Sequence, residues 1–209
     1  MDLLIVPPNL DHEKILDQLS FEVDNLYLTA SHTHSSIGGY LEGLAGKIFG
    51  GEYSENILEF ITNKTILALE EAYYNKEKSK IGCGRIYASN FVTNRLVGDS
   101  IGTYDPFIRL IKINTESGKN AAIFSYAAHA TCYGHNHKDL SGDYPGTLTS
   151  MLEMTREIDF AVYGAGAVGS MSPRTKSVEG EKRVKEISYG LFEKIYEGFR
   201  IMGAKYETK

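Results

Sequence analysis

His32 and His34 flank a threonine in the run Ala30-Ser31-His32-Thr33-His34-Ser35-Ser36-Ile37-Gly38-Gly39-Tyr40. On an extended backbone, side chains alternate with a period of two, so both imidazoles are expected to face one site. Neutral imidazole is a common zinc ligand, and a catalytic zinc keeps a position open for water, whose pKa it lowers to about 7. Taken alone, His-x-His more often marks surface or hydrogen-bonded histidines. A third histidine strengthens the metal reading: His129, in Ala128-His129-Ala130-Thr131, follows an apolar run. His135 and His137 form another pair in Gly134-His135-Asn136-His137-Lys138, but no strand fixes that polar loop, so they read as exposed. His12 falls at a polar helix position and is expected to face solvent.

Two other chemistries compete. Ser172 or Ser35 could serve as a nucleophile, with His34 or His129 as base and Asp143 orienting it. The segment Gly169-Ser170-Met171-Ser172-Pro173 lacks the second glycine of a nucleophile elbow and places proline after the serine, which ranks this below metal catalysis. Gly164-Ala165-Gly166-Ala167-Val168-Gly169 imitates a dinucleotide fingerprint and allows a non-catalytic binding module as a third reading. It stands late in the chain, whereas the fingerprint belongs to the first β-α turn. Cys83 and Cys132 lack CxxC spacing and are expected to be buried thiols.

The elements that must position these groups follow from periodicity. Residues 3–6 and 25–30 read as strands, with a helix between them capped by Asn9 or Asp11 and buried through Ile15, Leu16 and Leu19. Residues 55–74 carry apolar side chains at helical spacing, and 81–88 read as a strand leading into a polar stretch that contains Asn94-Arg95. Residues 107–113 and 121–127 flank a turn containing Gly118, a hairpin pattern. A helix over 145–156 with Asp143 near its start, a strand over 159–163, a glycine-rich loop to Pro173 and a helix over 179–199 complete the chain. Ile37, Leu41, Leu44 and Ile48 are expected to pack in the core. The fold class is α/β: a mixed β-sheet flanked by helices, in a single layered domain over residues 1–209 that looks truncated at both ends.

Polar chemistry therefore sits at the C-terminal ends of three strands, where α/β sheets gather their sites. The 209 residues, 42% hydrophobic and 23% charged, are an ordinary globular composition for one domain. A formal net charge of −5 gives no attraction for a phosphate backbone, so no nucleic-acid partner is expected. The lysines between Lys76 and Lys80 lie at a helix end, where they complement the dipole. No apolar run approaches the roughly 18 to 20 residues that span a bilayer, and no signal-peptide pattern is visible.

Several of these segments together resemble the neutral/alkaline non-lysosomal ceramidase family. The Ala30–Tyr40 run is similar to that family's T-H-T-H-S strand and glycine turn, and Asn94-Arg95 to its N-R element. Ala128-His129-Ala130-Thr131 resembles its H-A-T element, Ser141-Gly142-Asp143-Tyr144-Pro145-Gly146 its S-x-D-x-x-G element, and Gly169–Pro173 its G-D-x-S-P loop. Order and approximate spacing agree from Leu3 to Pro173. The resemblance implies a partial ceramidase-like catalytic domain: a zinc amidohydrolase cleaving the N-acyl bond of ceramide or a related lipid, secreted or periplasmic, with contact to a membrane surface. It implies His32 and His129 as zinc ligands, and His34, Arg95 and Ser172 around the substrate amide. The family completes its zinc site with a glutamate and a tyrosine from a later part of its chain; Asp143 is the alternative within this one. Gly169-Ser170 stands where the family has G-D, which removes a carboxylate from that loop.

Overall fold

The computed structural model describes residues 1–206. Two compact units emerge: Met1–Leu4, Thr29–Ser36 and the chain from Lys78 onward make one, and Ile5–Leu28 with Ile37–Glu77 make the other.

The smaller unit holds α1 (His12–Asp17), α2 (Gly43–Gly50) and α3 (Glu55–Tyr74). Asp11 caps α1 by accepting the Lys14 amide at 2.9 Å, the N-terminal satisfaction expected of an aspartate there. Ile15 is fully buried, and Phe21 stacks on Tyr73 of α3 with ring centroids 3.7 Å apart. The Gly38-Gly39 turn meets Gly50: the Gly39 amide donates to the Gly50 carbonyl at 2.6 Å, and Gly39 adopts φ +80, which only glycine takes without strain. The expected core role for Leu44 and Ile48 is overturned. They point outward from α2 at 76% and 69% exposure, with Phe49 beside them at 75%.

The larger unit is a mixed sheet. Strands β1 (Ser79–Tyr87), β3 (Phe107–Thr115) and β4 (Asn120–Tyr126) run antiparallel, with β2 (Val92–Asn94) in the loop between the first two. The β3–β4 turn closes through Gly118 at φ +88. After α4 (Asp143–Glu153), β5 (Phe160–Ala165) returns parallel to β4, the geometry a helical crossover produces. Strand β6 (Met171–Pro173) pairs with β2 as a separate two-stranded sheet, α5 (Glu181–Ile201) follows, and β7 (Lys205–Tyr206) adds two residues at the β1 edge. Val184, Ile187, Leu191, Ile195 and Phe199 recur on one face of α5 and bury against Leu148 and Leu152 of α4 and against Ile108, Leu110, Ala122 and Phe124 of the sheet. Burying one such side chain contributes about 1.5–3 kcal/mol. The α/β class, the mixed sheet and the flanking helices are as expected.

Two expected strands do not form. Residues 3–5 bend and 25–30 are irregular, and the bonds here are isolated and form no ladder: the Ala165 amide at the end of β5 donates to the Ala30 carbonyl at 3.1 Å, and the neighbouring Ser31 amide to the Met1 carbonyl at 3.0 Å. Their apolar runs reflect partial burial, since Leu3 is buried but Tyr27 is 88% exposed. Cys132 is buried as expected; Cys83 is exposed, because odd-numbered positions of β1 point to the face opposite α5.

Candidate metal centre

Strand β4 delivers His129. Beyond Tyr126 the backbone stays buried through Ala127, Ala128 and Ala130, whose small side chains admit close packing on both sides of the histidine. His32 and His34 arrive on the segment that passes the end of β5, by a route the sequence pattern did not anticipate. His32 sits at φ +60, a left-handed conformation that is uncommon outside glycine. The two imidazoles thus share a site through a backbone turn and not through strand alternation.

Thr33, fully buried between them, holds that turn. Its hydroxyl donates to the Ser141 carbonyl at 2.6 Å and accepts the Ser35 amide at 3.2 Å, while the Ser141 amide donates to the Ser35 carbonyl at 2.7 Å. The result is a cluster in which ring centroids of His32, His34 and His129 lie 4.5–5.2 Å apart and one nitrogen from each falls within 4.8 Å of the others.

Hydrogen bonds set the tautomers. His32 Nδ1 lies 2.6 Å from the Leu4 carbonyl and His129 Nδ1 lies 3.1 Å from the Val168 carbonyl. A carbonyl only accepts, so each Nδ1 carries a proton, and in the neutral imidazole that tautomer puts the lone pair on Nε2. This is the arrangement of a metal-ligating histidine, whose other ring N–H is tied to a carbonyl or carboxylate. His34 has no such anchor among the described residues. Its Nε2 lies 2.8 Å from His129 Nε2 and, by the same logic, donates to it.

Protonation of His129 and His34 is disfavoured. Burial pushes the His129 pKa down to about 4; the Val168 bond opposes this, and Arg95, His32 and His34 add to it. His34 is also lowered, first by partial desolvation and then by His32, although Asp143 opposes the shift. Both rings therefore offer lone pairs at neutral pH, and the residues present fit a metal ion.

Arg95 leaves the end of β2, and its guanidinium Nε and Nη2 both donate to the Gly169 carbonyl, at 3.1 and 2.8 Å. Its charge reaches both His34 and His129. Ser172 lies on β6 opposite Thr93, and among the described residues its hydroxyl approaches only the Pro173 carbonyl, at 3.5 Å. Among the described residues no serine or threonine hydroxyl bonds a site imidazole, so the serine triad is not assembled.

Asp143 is no substitute ligand. It is buried, and both oxygens are occupied: one accepts the Cys132 and Tyr133 amides at 2.9 and 3.2 Å, the other the Tyr144 amide at 2.6 Å. The glycine-rich loop serves the histidines, since Gly166 donates to the Tyr126 carbonyl at 3.0 Å and brings the Val168 carbonyl to His129. His135 and His12 are exposed as expected, whereas His137 is half-buried because its ring stacks on Tyr133 at 3.9 Å; all three lie outside the cluster. The anchors at Leu4 and Val168 are backbone carbonyls, for which a sequence offers no side-chain signal.

No family model matches the chain. No curated protein matches it either. Solved structures do. The neutral ceramidase from Pseudomonas aeruginosa superposes with a TM-score of 0.79 at 22% identity, covering 94% of this chain and 35% of that one. A ceramidase complexed with C2 superposes with a TM-score of 0.81, also at 22% identity, covering 94% of this chain and 34% of that one. The chain thus spans about a third of the length of these structures and, by fold, corresponds to a part of neutral ceramidase.

Proposed function

We propose that this chain is part of a zinc-dependent amide hydrolase acting on ceramide or a related N-acyl lipid, with His32 and His129 as metal ligands. The observation that carries the reading is the pair of Nδ1–carbonyl bonds, which turn the Nε2 atoms of His32 and His129 toward one cluster. The fold shared with neutral ceramidase supports the reaction class. When bound, zinc supplies an activated water and polarises the amide carbonyl.

The chain's own residues would do the rest. His34, the most exposed of the three, has an N–H already directed into the site and is placed to stabilise the developing oxyanion or to pass a proton to the leaving amine. Arg95, braced on the Gly169 carbonyl, would orient the polar head of the substrate, and Ser172 would line the amide from β6. The exposed Leu44, Ile48 and Phe49 offer apolar surface to lipid chains or to a membrane. Two imidazoles leave positions for a glutamate and a tyrosine, which we assign to parts of the fold beyond the third that this chain spans.

Hydrolysis of a fluorogenic N-acyl lipid by a protein containing this chain, before and after exhaustive zinc chelation, tests the reading. Activity should vanish on chelation and return with zinc; full activity in the chelated protein contradicts it.

A further inference from the structure

The S-x-D-x-x-G segment at the start of α4 has no part in the chemistry above, yet it touches both histidine-bearing loops. Ser141 bonds Thr33 and Ser35, the residues on either side of His34. Asp143 takes the Cys132 and Tyr133 amides, three and four residues beyond His129. The Tyr144 hydroxyl donates to the Ala128 carbonyl at 2.5 Å, immediately before His129, and meets the Tyr163 hydroxyl at 2.9 Å. His129 is therefore held on both sides by consecutive residues of one helix start, and that same turn holds the His32–His34 segment.

We propose that Asp143 is a positioning residue for the histidine cluster: its carboxylate clamps the loop after His129, so that His129 keeps its place beside His32 and His34. The proposal rests on the metal reading only for its functional meaning. The chemistry demands a carboxylate. The groups on Asp143 are all donors, the backbone N–H of Cys132, Tyr133 and Tyr144 together with the Cys132 thiol, and a carboxylate accepts from all of them. Asparagine would turn an amide NH2 toward one of those donors and lose at least one bond. A buried carboxylate is costly unless fully satisfied. Its position at φ +54, where a residue with a Cβ is strained, fits a site maintained for what it holds.

Metal affinity and loop order separate this role from mere stability. Zinc affinity of the chain, from competition with a chromophoric chelator, should fall about 10- to 100-fold in Asp143→Asn, the usual cost of losing an outer-shell partner. Hydrogen exchange at the Cys132 and Tyr133 amides should quicken in the same variant while α5 stays protected. Leu191→Ala, which weakens the α5 core without touching the loop, should leave zinc affinity within twofold of wild type. Unchanged affinity in Asp143→Asn, or an equal loss in Leu191→Ala, overturns the proposal. A wild-type chain that binds no zinc contradicts the metal reading instead. The Asp143 proposal is then decided by the imidazole nitrogen shifts of metal-free His129: loss of the Nδ1–H tautomer in Asp143→Asn upholds it, and retention overturns it.

Discussion

His129 carries a proton count that can be measured. Its folded-state pKa, near 4, lies below the 6.5 of the free side chain, so the unfolded chain takes up a proton first as pH falls. The metal-free chain should therefore hold this contribution above about pH 6.5 and lose it progressively down to about pH 4, by up to about 3 kcal/mol. Urea unfolding at pH 7 and pH 5 checks the sign, and a His129→Gln variant should flatten the slope. Arg95 lowers the pKa of both His34 and His129, so Arg95→Ala should raise both, read as upward shifts in NMR titration midpoints. At this scale the sequence was informative about identity and silent about geometry. His32, His34 and His129 stood out by type and spacing, but the expected period-two alternation is replaced by a left-handed turn at His32. The groups that fix the tautomers are the carbonyls of Leu4 and Val168, which any residue could supply.

Elements were legible where periodicity ran long. Helix α3 forms over the span read from its apolar spacing, and α5 differs from its expected bounds by two residues at each end. The hairpin and its glycine turn also match, because alternation and a φ-positive glycine are local signals. Short apolar runs failed. Residues 3–6 and 25–30 carry strand-like composition, but a strand exists only with a laddered partner, and pairing is not local information. Strands β2 and β6, three residues each, hid in polar loops for the same reason. Burial sets the energetic contrast between helices. Leu191→Ala on α5 should cost about 2–5 kcal/mol, whereas Leu44→Ala on exposed α2 should change stability by less than about 0.5 kcal/mol. Chemical denaturation of the two variants separates them.

For the whole molecule, the ordered series of short motifs was informative despite an overall identity of 22% to the solved ceramidases. Those motifs lie at or beyond the ends of β2 and β4, on β6, in the turn at His32 and at the start of α4, where side chains and backbone meet the site, while the intervening core needs only apolar residues of suitable volume. The division into two compact units was not visible, because the smaller unit is assembled from two separated stretches with no linker composition between them. The central claim concerns the metal, and zinc binding by the chain and its histidine variants tests it most directly. The account predicts that His32→Ala and His129→Ala each abolish zinc binding while His34→Ala retains it. Metal content unchanged in both of the first two variants would contradict it.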